Sequence, residues 1–136
     1  MDSITEKIWI GNYLDANDRA ALASTGIRSI LCLDGCIAGI KAEELGVERA
    51  EVVELIDGSG NPPEKFLRAV TLLRDMVAEH APVLVHCHAG QSRSAAVVCK
   101  FFMQEEGNSL ADAMRRITCK RRVAIIAGLQ EALDFR

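Results

Sequence analysis

The stretch from Val83 to Gln104 limits the fold more than any other part of the chain. Val83-Leu84-Val85 is a short, unbroken apolar run, the pattern of a strand covered on both faces. Small and polar residues follow: His86-Cys87-His88-Ala89-Gly90-Gln91-Ser92-Arg93-Ser94. From Ser94 to Gln104 the chain is apolar nearly all round, and a helix of that kind sits inside a core rather than on its surface. A buried strand, a tight loop and a buried helix in that order require a sheet covered by helices.

The remaining segments alternate in the same way. Lys7-Ile8-Trp9-Ile10 reads as a strand closed by Gly11-Asn12. Asp15 is expected to cap a helix over about 17–25, with Leu22 toward the core and Gly26 ending it. Arg28 to Leu33 is a β-rich run stopped by Asp34-Gly35. A helix is expected over 39–45 and a strand from Val47 to Ile56. Asp57-Gly58-Ser59-Gly60-Asn61-Pro62-Pro63 is a loop whose prolines suit a helix start. Phe66, Val70, Leu73 and Val77 then fall at i, i+4, i+7 and i+11, a helix ended by Ala81-Pro82. Ser109-Leu110-Ala111-Asp112 resembles a capping box for a helix to about Thr118, and a last helix is expected from Ala124 to Phe135. The expected class is α/β: a central, mostly parallel sheet of four to five strands flanked by helices, in a single domain over residues 1–136.

Composition fits that reading. Of 136 residues, 49% are hydrophobic, enough for a packed core, and 26% are charged, an ordinary globular share. The net charge of −3 argues against a general nucleic-acid binder, so no nucleic-acid partner is expected. Five cysteines without a CxxC pair point to free thiols in a reducing compartment. Met1 to Lys7 carries two acids with no long apolar run behind it, unlike an ordinary signal peptide. No run approaches about 18 apolar residues, so no membrane span is expected. A cytoplasmic protein follows as the default, with a monomer as the default oligomeric state.

The loop carries the chemistry. A loop entering a helix N-terminus turns backbone N–H groups inward, and the helix dipole adds partial positive charge. His88, Ala89, Gly90, Gln91 and Ser92 are therefore expected to cradle a tetrahedral anion. Arg93 closes the cradle with a guanidinium that can grip two oxygens. Five residues separate it from Cys87, so sulfur and guanidinium can face one phosphate. A free thiol has pKa about 8.5, and electropositive settings lower it to roughly 3.5–7.5. Cys87 is then largely thiolate at neutral pH and can attack phosphorus. Ser94 can donate a hydrogen bond to the sulfur, and His86 is expected to support the loop from behind. Zinc on His86, Cys87 and His88 is disfavoured, because adjacent residues on an extended chain point opposite ways and no second ligand pair is visible. Neither metal nor cofactor is expected.

His-Cys-x5-Arg-Ser is the signature of the protein tyrosine phosphatase superfamily, and the whole chain resembles its dual-specificity branch in minimal form. Ile8-Trp9-Ile10-Gly11-Asn12 with Asp18 and Leu22 resembles the opening strand and first helix of that branch. Gly26 to Leu31 resembles its second strand. Ser94-Ala95-Ala96 through Met103, then Ser109-Leu110 and Ala113, resemble the helices after the loop. The resemblance implies a phosphocysteine intermediate and a general acid on a loop before the cysteine. Asp34, Glu54 and Asp57 all precede it. Asp57 fits best, on a Gly/Pro-rich loop 30 residues before Cys87, the interval the resemblance implies. Glu54 is the fallback. The family often carries Pro-Asn-x-Gly-Phe before its last helix. Here Ile126 stands at the Asn position, which puts that brace of the phosphate loop in question.

Arg115, Arg116, Lys120, Arg121 and Arg122 form a basic run. Such a run is ordinarily a solvated face, with a steering role for anionic substrate as the other reading. Cys32 and Cys36 read as structural, with a redox role as the alternative. The leading function is hydrolysis of phosphotyrosine, and of phosphoserine or phosphothreonine, in proteins. The alternatives are a non-protein phosphoester (a phosphoinositide, an RNA 5′ end or a sugar phosphate), a phosphate-binding module without turnover, and a sulfurtransferase or arsenate reductase.

Overall fold

A computed structural model describes residues 1–133. Its sheet has five strands: β1 (Asp2–Ser3), β2 (Ile8–Gly11), β3 (Ser29–Cys32), β4 (Arg49–Val52) and β5 (Val83–His86). They lie in the order β1-β2-β5-β3-β4, parallel throughout except for β1, which runs antiparallel to β2. The apolar run predicted to be buried on both faces is the central strand, and all four residues of β5 are buried.

Side chains alternate across the sheet with period two. Val83 and Val85 join the core under α4 (Pro63–His80), α5 (Arg93–Glu106), α6 (Leu110–Thr118) and the end of α7 (Ala127–Leu133). Leu84 joins the core on the other face, under α1 (Tyr13–Ala16), α2 (Arg19–Thr25) and α3 (Ala42–Leu45). The first core holds Phe66, Leu73 and Phe102, each nearly or wholly buried. Each such side chain contributes about 1.5–3 kcal/mol.

Several boundaries differ from expectation. Asp15 does not cap α2. Asn12 caps the short α1 and makes a reciprocal capping box with Asp15, whose carboxylate accepts the Asn12 N–H. Asp18 caps α2 by accepting the Ala21 N–H. The strand expected to reach Ile56 is regular only over Arg49–Val52. Beyond it Val53 and Leu55 still donate to the Cys32 and Leu33 carbonyls, so the chain stays extended past the end of β3. The helix expected from 39 begins at Ala42, after Gly39 turns at φ +80°. The Ser109 hydroxyl accepts the Asp112 N–H as expected, whereas the Asp112 carboxylate pairs with Arg115. The last helix starts at Ala127 rather than Ala124, because the N–H groups of Ala124 and Ile126 are taken by the loop after β5. Its expected end at Phe135 lies outside the described residues.

The topology positions the site. β5, the last strand, lies between β2 and β3; the chain leaves its carboxyl end for α5 on one face, whereas after β2 and β3 it passes to α1–α3 on the other. Beyond the carboxyl ends of such strands a crevice opens, and the loop 87–92 fills it.

Candidate active site

Cys87 is 2% exposed and Ser94 fully buried, with Cys87 Sγ 3.3 Å from Ser94 Oγ. Burial pushes the thiol pKa up. The Ser94 hydroxyl and the backbone N–H groups of Ser94, Ser92 and Gly90 outweigh it and hold the thiol below its ordinary value. The sulfur thus faces the ring of donors expected of an anion cradle at the start of α5.

The cradle is braced from outside. The Arg121 Nε atom donates to the Gly90 carbonyl at 2.8 Å, and the Ala124 N–H to the Gln91 carbonyl at 2.9 Å. The Ile126 N–H donates to Ser92 Oγ at 3.1 Å. With those carbonyls turned outward, neighbouring N–H groups are left for the interior. Gly90 has φ +69°, and a Cβ there would stand 2.5 Å from the Gly11 carbonyl oxygen and 2.6 Å from Arg121 Nη2. Only glycine fits. The brace expected from an Asn side chain is therefore made by backbone groups at 124 and 126 and by Arg121, with the Ile126 side chain exposed.

Arg93 is anchored at one end of its fork. Nη1 donates to the Leu55 carbonyl at 3.2 Å and the Leu33 carbonyl at 3.5 Å. Nε is buried with no partner. A buried, unpaired guanidinium N–H is costly, and a partner placed beside it would offset that cost.

Asp57, Cys87, Arg93 and Ile126 share one open cleft of about 420 Å³, with His88, Ala89, Gln91 and Ser92 on its wall. Asp57 itself is exposed. Its loop is closed by Asn61, which accepts the Ile56 N–H at 2.7 Å and donates to the Ile56 carbonyl at 2.8 Å and the Gly58 carbonyl at 3.3 Å. Gly128 packs so closely on this loop that a Cβ would collide with the Ser59 backbone nitrogen. The other carboxylates lie elsewhere. Glu54 packs on Gly35, and Asp34 accepts bonds from the Cys32 thiol and the Cys36 N–H.

Two expectations change. His86 supports the loop only weakly: Nδ1 lies 3.4 Å from the Cys87 carbonyl, and Nε2 has no partner. Burial is the main cause holding its imidazole below the ordinary pKa. The basic run is not one solvated face either. Arg115, Lys120 and Arg122 are exposed, Arg115 pairing with Asp112 at the surface, whereas the partly buried Arg116 and Arg121 pair with Glu106 and, at 2.7 Å, with Asp2.

Sequence reasoning missed Tyr13, whose ring stacks on His88 with centroids 4.5 Å apart and planes 2° from parallel. Nothing local marks it, because its neighbour lies far along the chain. It also missed Asn61 as the clasp of the Asp57 loop, although an Asn after Gly-rich residues is a known loop-closing type.

The family described as "Dual specificity phosphatase, catalytic domain" matches residues 8–132. Dual specificity protein phosphatase 1 of Arabidopsis thaliana is 26% identical over 121 residues, 89% of this chain and 60% of that protein. This chain therefore spans less than two thirds of that relative. The human tyrosine phosphatase-like serine/threonine/tyrosine-interacting protein superposes with a TM-score of 0.82 at 27% identity, covering 98% of this chain and 92% of that one. The PTP-2 phosphatase of Cydia pomonella shares the fold with a TM-score of 0.84 at 24% identity, over 97% and 86% of the two chains. With a donor-lined cysteine loop at the end of the central strand and a family match across nearly all of its length, the chain belongs to the dual specificity phosphatase catalytic-domain family.

Proposed function

We propose that this chain hydrolyses phosphomonoesters on proteins, phosphotyrosine first and phosphoserine or phosphothreonine with it, through a phosphocysteine. The observation that carries the reading is that Cys87, Arg93 and Asp57 line one cleft. The Cys87 thiolate attacks phosphorus in line with the leaving oxygen. Arg93 and the N–H groups of the 88–93 loop hold the equatorial oxygens and stabilise the charge they gain. Asp57 gives a proton to the leaving oxygen, then takes one from the water that attacks phosphocysteine. The Ser94 hydroxyl stabilises the departing thiolate in that second step.

Peptides are favoured over other phosphoesters by the surroundings of the cleft. The Tyr13–His88 stack and the exposed Ile126 offer apolar and aromatic surface to a phosphorylated side chain and its neighbours. The loop interior has no lysine, and three of the five basic residues at 115–122 already hold acidic partners. No helix among the described residues is long and apolar enough to cross a membrane.

The test is a phosphatase assay with chelator present, comparing phosphopeptides, phosphoinositides and a 5′-phosphorylated RNA. Faster turnover of phosphopeptides, abolished by Cys87→Ser, is expected. Activity that survives Cys87→Ser sinks the mechanism, and preference for a lipid or RNA substrate moves the reading to the non-protein class.

A further inference from the structure

On the sheet face opposite the Cys87 cradle, four side chains that bind metals converge. Cys32 and His86 are paired neighbours at the ends of β3 and β5, so both lie at one height of the sheet. Cys32 packs in the core under α1–α3, whereas Cys87 packs in the core under α4–α7. Asp34 and Cys36 fold back from the turn after β3. One potential ligand atom from each of Cys32, Asp34, Cys36 and His86 lies within 4.8 Å of all the others. We propose that these four residues form a binding site for a thiophilic divalent cation, with Zn²⁺ the ion their chemistry selects.

Ligand type supports zinc. Two thiolates, an imidazole and a carboxylate make an S₂NO set, and Zn²⁺ takes such donors at about 2.0–2.3 Å in a tetrahedron. Ligand atoms on that tetrahedron stand roughly 3.3–3.8 Å apart by the same bond lengths. The Cys32 Sγ to Asp34 Oδ1 distance is already 3.2 Å, and His86 Nδ1 lies 4.0 Å from the same oxygen. Cys36 is exposed and its sulfur accepts only a long 3.6 Å bond from Asn17 Nδ2, so it is the member with most room to close in.

A second observation comes from His86 itself. The ring is fully buried; Nδ1, the nitrogen near Asp34, has only a 3.4 Å contact with the Cys87 carbonyl and the 4.0 Å approach to Asp34 Oδ1, and Nε2 across the ring has no partner. Buried imidazoles ordinarily spend both nitrogens on hydrogen bonds. Though exposed at the surface, the Cys36 thiol is pushed up to about 12 by partial loss of solvent around its sulfur, then by Asp34 and Cys32. Burial likewise raises the Cys32 thiol. Acidic groups gathered this way repel one another when ionised, and a divalent cation reverses the sign of that interaction. Sequence reasoning found no second ligand pair because it looked beside Cys87. The spacing Cys32-x3-Cys36 becomes informative only once β3 lies against β5.

Co²⁺ titration of the reduced full chain tests this apart from the phosphatase reading. The expected result is one Co²⁺ per chain, with a thiolate-to-cobalt charge-transfer band and intense visible absorption, displaced by Zn²⁺. Both signals should persist in Cys87→Ser and Cys119→Ser. Cys36→Ser, an exposed position, should weaken binding ~10-fold or more and reduce the charge-transfer band. Asp34→Asn should weaken binding while keeping the band, with folding of each variant checked by circular dichroism. Absence of the band in the parent chain overturns the site. So does a band lost in Cys87→Ser, or binding untouched by Cys36→Ser.

Discussion

The loop at 87–92 and the loop at 57–61 meet across one cleft but are built by opposite means. The first is held on several sides: by β5 before it, by α5 after it, by Gly11 against Gly90, and by donors from 121 to 126. The cysteine that opens it is buried. The second lies in solvent and depends on one side chain, Asn61, and on the close approach of Gly128. The contrast matches the two tasks we propose for them. A cradle that stabilises transition-state charge must be preorganised, because reorganising dipoles during the reaction costs what they give. A carboxylate that gives and then takes a proton needs correct reach and access to water.

The largest break of this contrast is at the rigid loop. Cys87→Ser should lower kcat by about 10³-fold or more, since the attacking group itself is lost. Arg93→Lys should cost roughly 10²-fold in kcat/KM, because lysine cannot hold both the Leu55 carbonyl and an anion in one planar fork. Phosphate or vanadate should bind Arg93→Lys more weakly in the same assay. Asp57→Asn comes next, at ~10²-fold for a phosphopeptide. With an activated aryl phosphate, whose leaving oxygen needs little protonation, the same variant should lose much less. Equal losses on both substrates would place the acid elsewhere.

The same contrast explains what the sequence made legible. The cradle is local: strand, loop and helix are contiguous, and their residue types state burial and turn geometry directly. Its residues could therefore be read in order, as could the central strand and the helix at 63–80. The braces are not local. Arg121 looked like part of a solvated run because its partners, Gly90 and Asp2, lie 31 and 119 residues away. Ile126 looked like a lost brace because an Asn side chain was sought where a backbone N–H does the work. Asp15 and Asp18 are both plausible caps, and only the extended Asn12 decides between them.

Ser94 tests how the rigid loop tunes its sulfur. Thiolate reacts and thiol does not, so alkylation of Cys87 by iodoacetate falls as pH drops through its pKa. That value lies below the ordinary thiol value, so the reaction should persist to lower pH than for an unperturbed thiol. Ser94→Ala removes a bond that lowers the value, so the inactivation profile should move to higher pH. Its kcat should fall about tenfold with a pre-steady-state burst, as phosphocysteine breakdown slows. At the exposed loop, Asn61→Ala should lower kcat by roughly several-fold, with the leaving-group dependence of Asp57→Asn in weaker form. A loss shared equally by all substrates would make Asn61 a fold residue only.

The smallest effects belong to the outer brace. Arg121 makes two contacts of different worth: a hydrogen bond to Gly90, which shapes the cradle, and an ion pair with Asp2, which does not. The Arg121 side chain is 14% exposed and that of Asp2 47%, so solvent screens the pair from one side. Such pairs contribute about 0–1 kcal/mol. Asp2→Asn should therefore change kcat less than about twofold and shift thermal stability only slightly. Arg121→Met removes the Gly90 bond too and leaves a buried carbonyl unpaired, a cost of about 1–3 kcal/mol. If that cost falls on the shape of the cradle, inorganic phosphate should inhibit Arg121→Met more weakly while inhibiting Asp2→Asn as it does the parent. If both variants lose stability alike and keep parental phosphate inhibition, Arg121 ties the N-terminus down and the cradle holds its form through 124 and 126 alone.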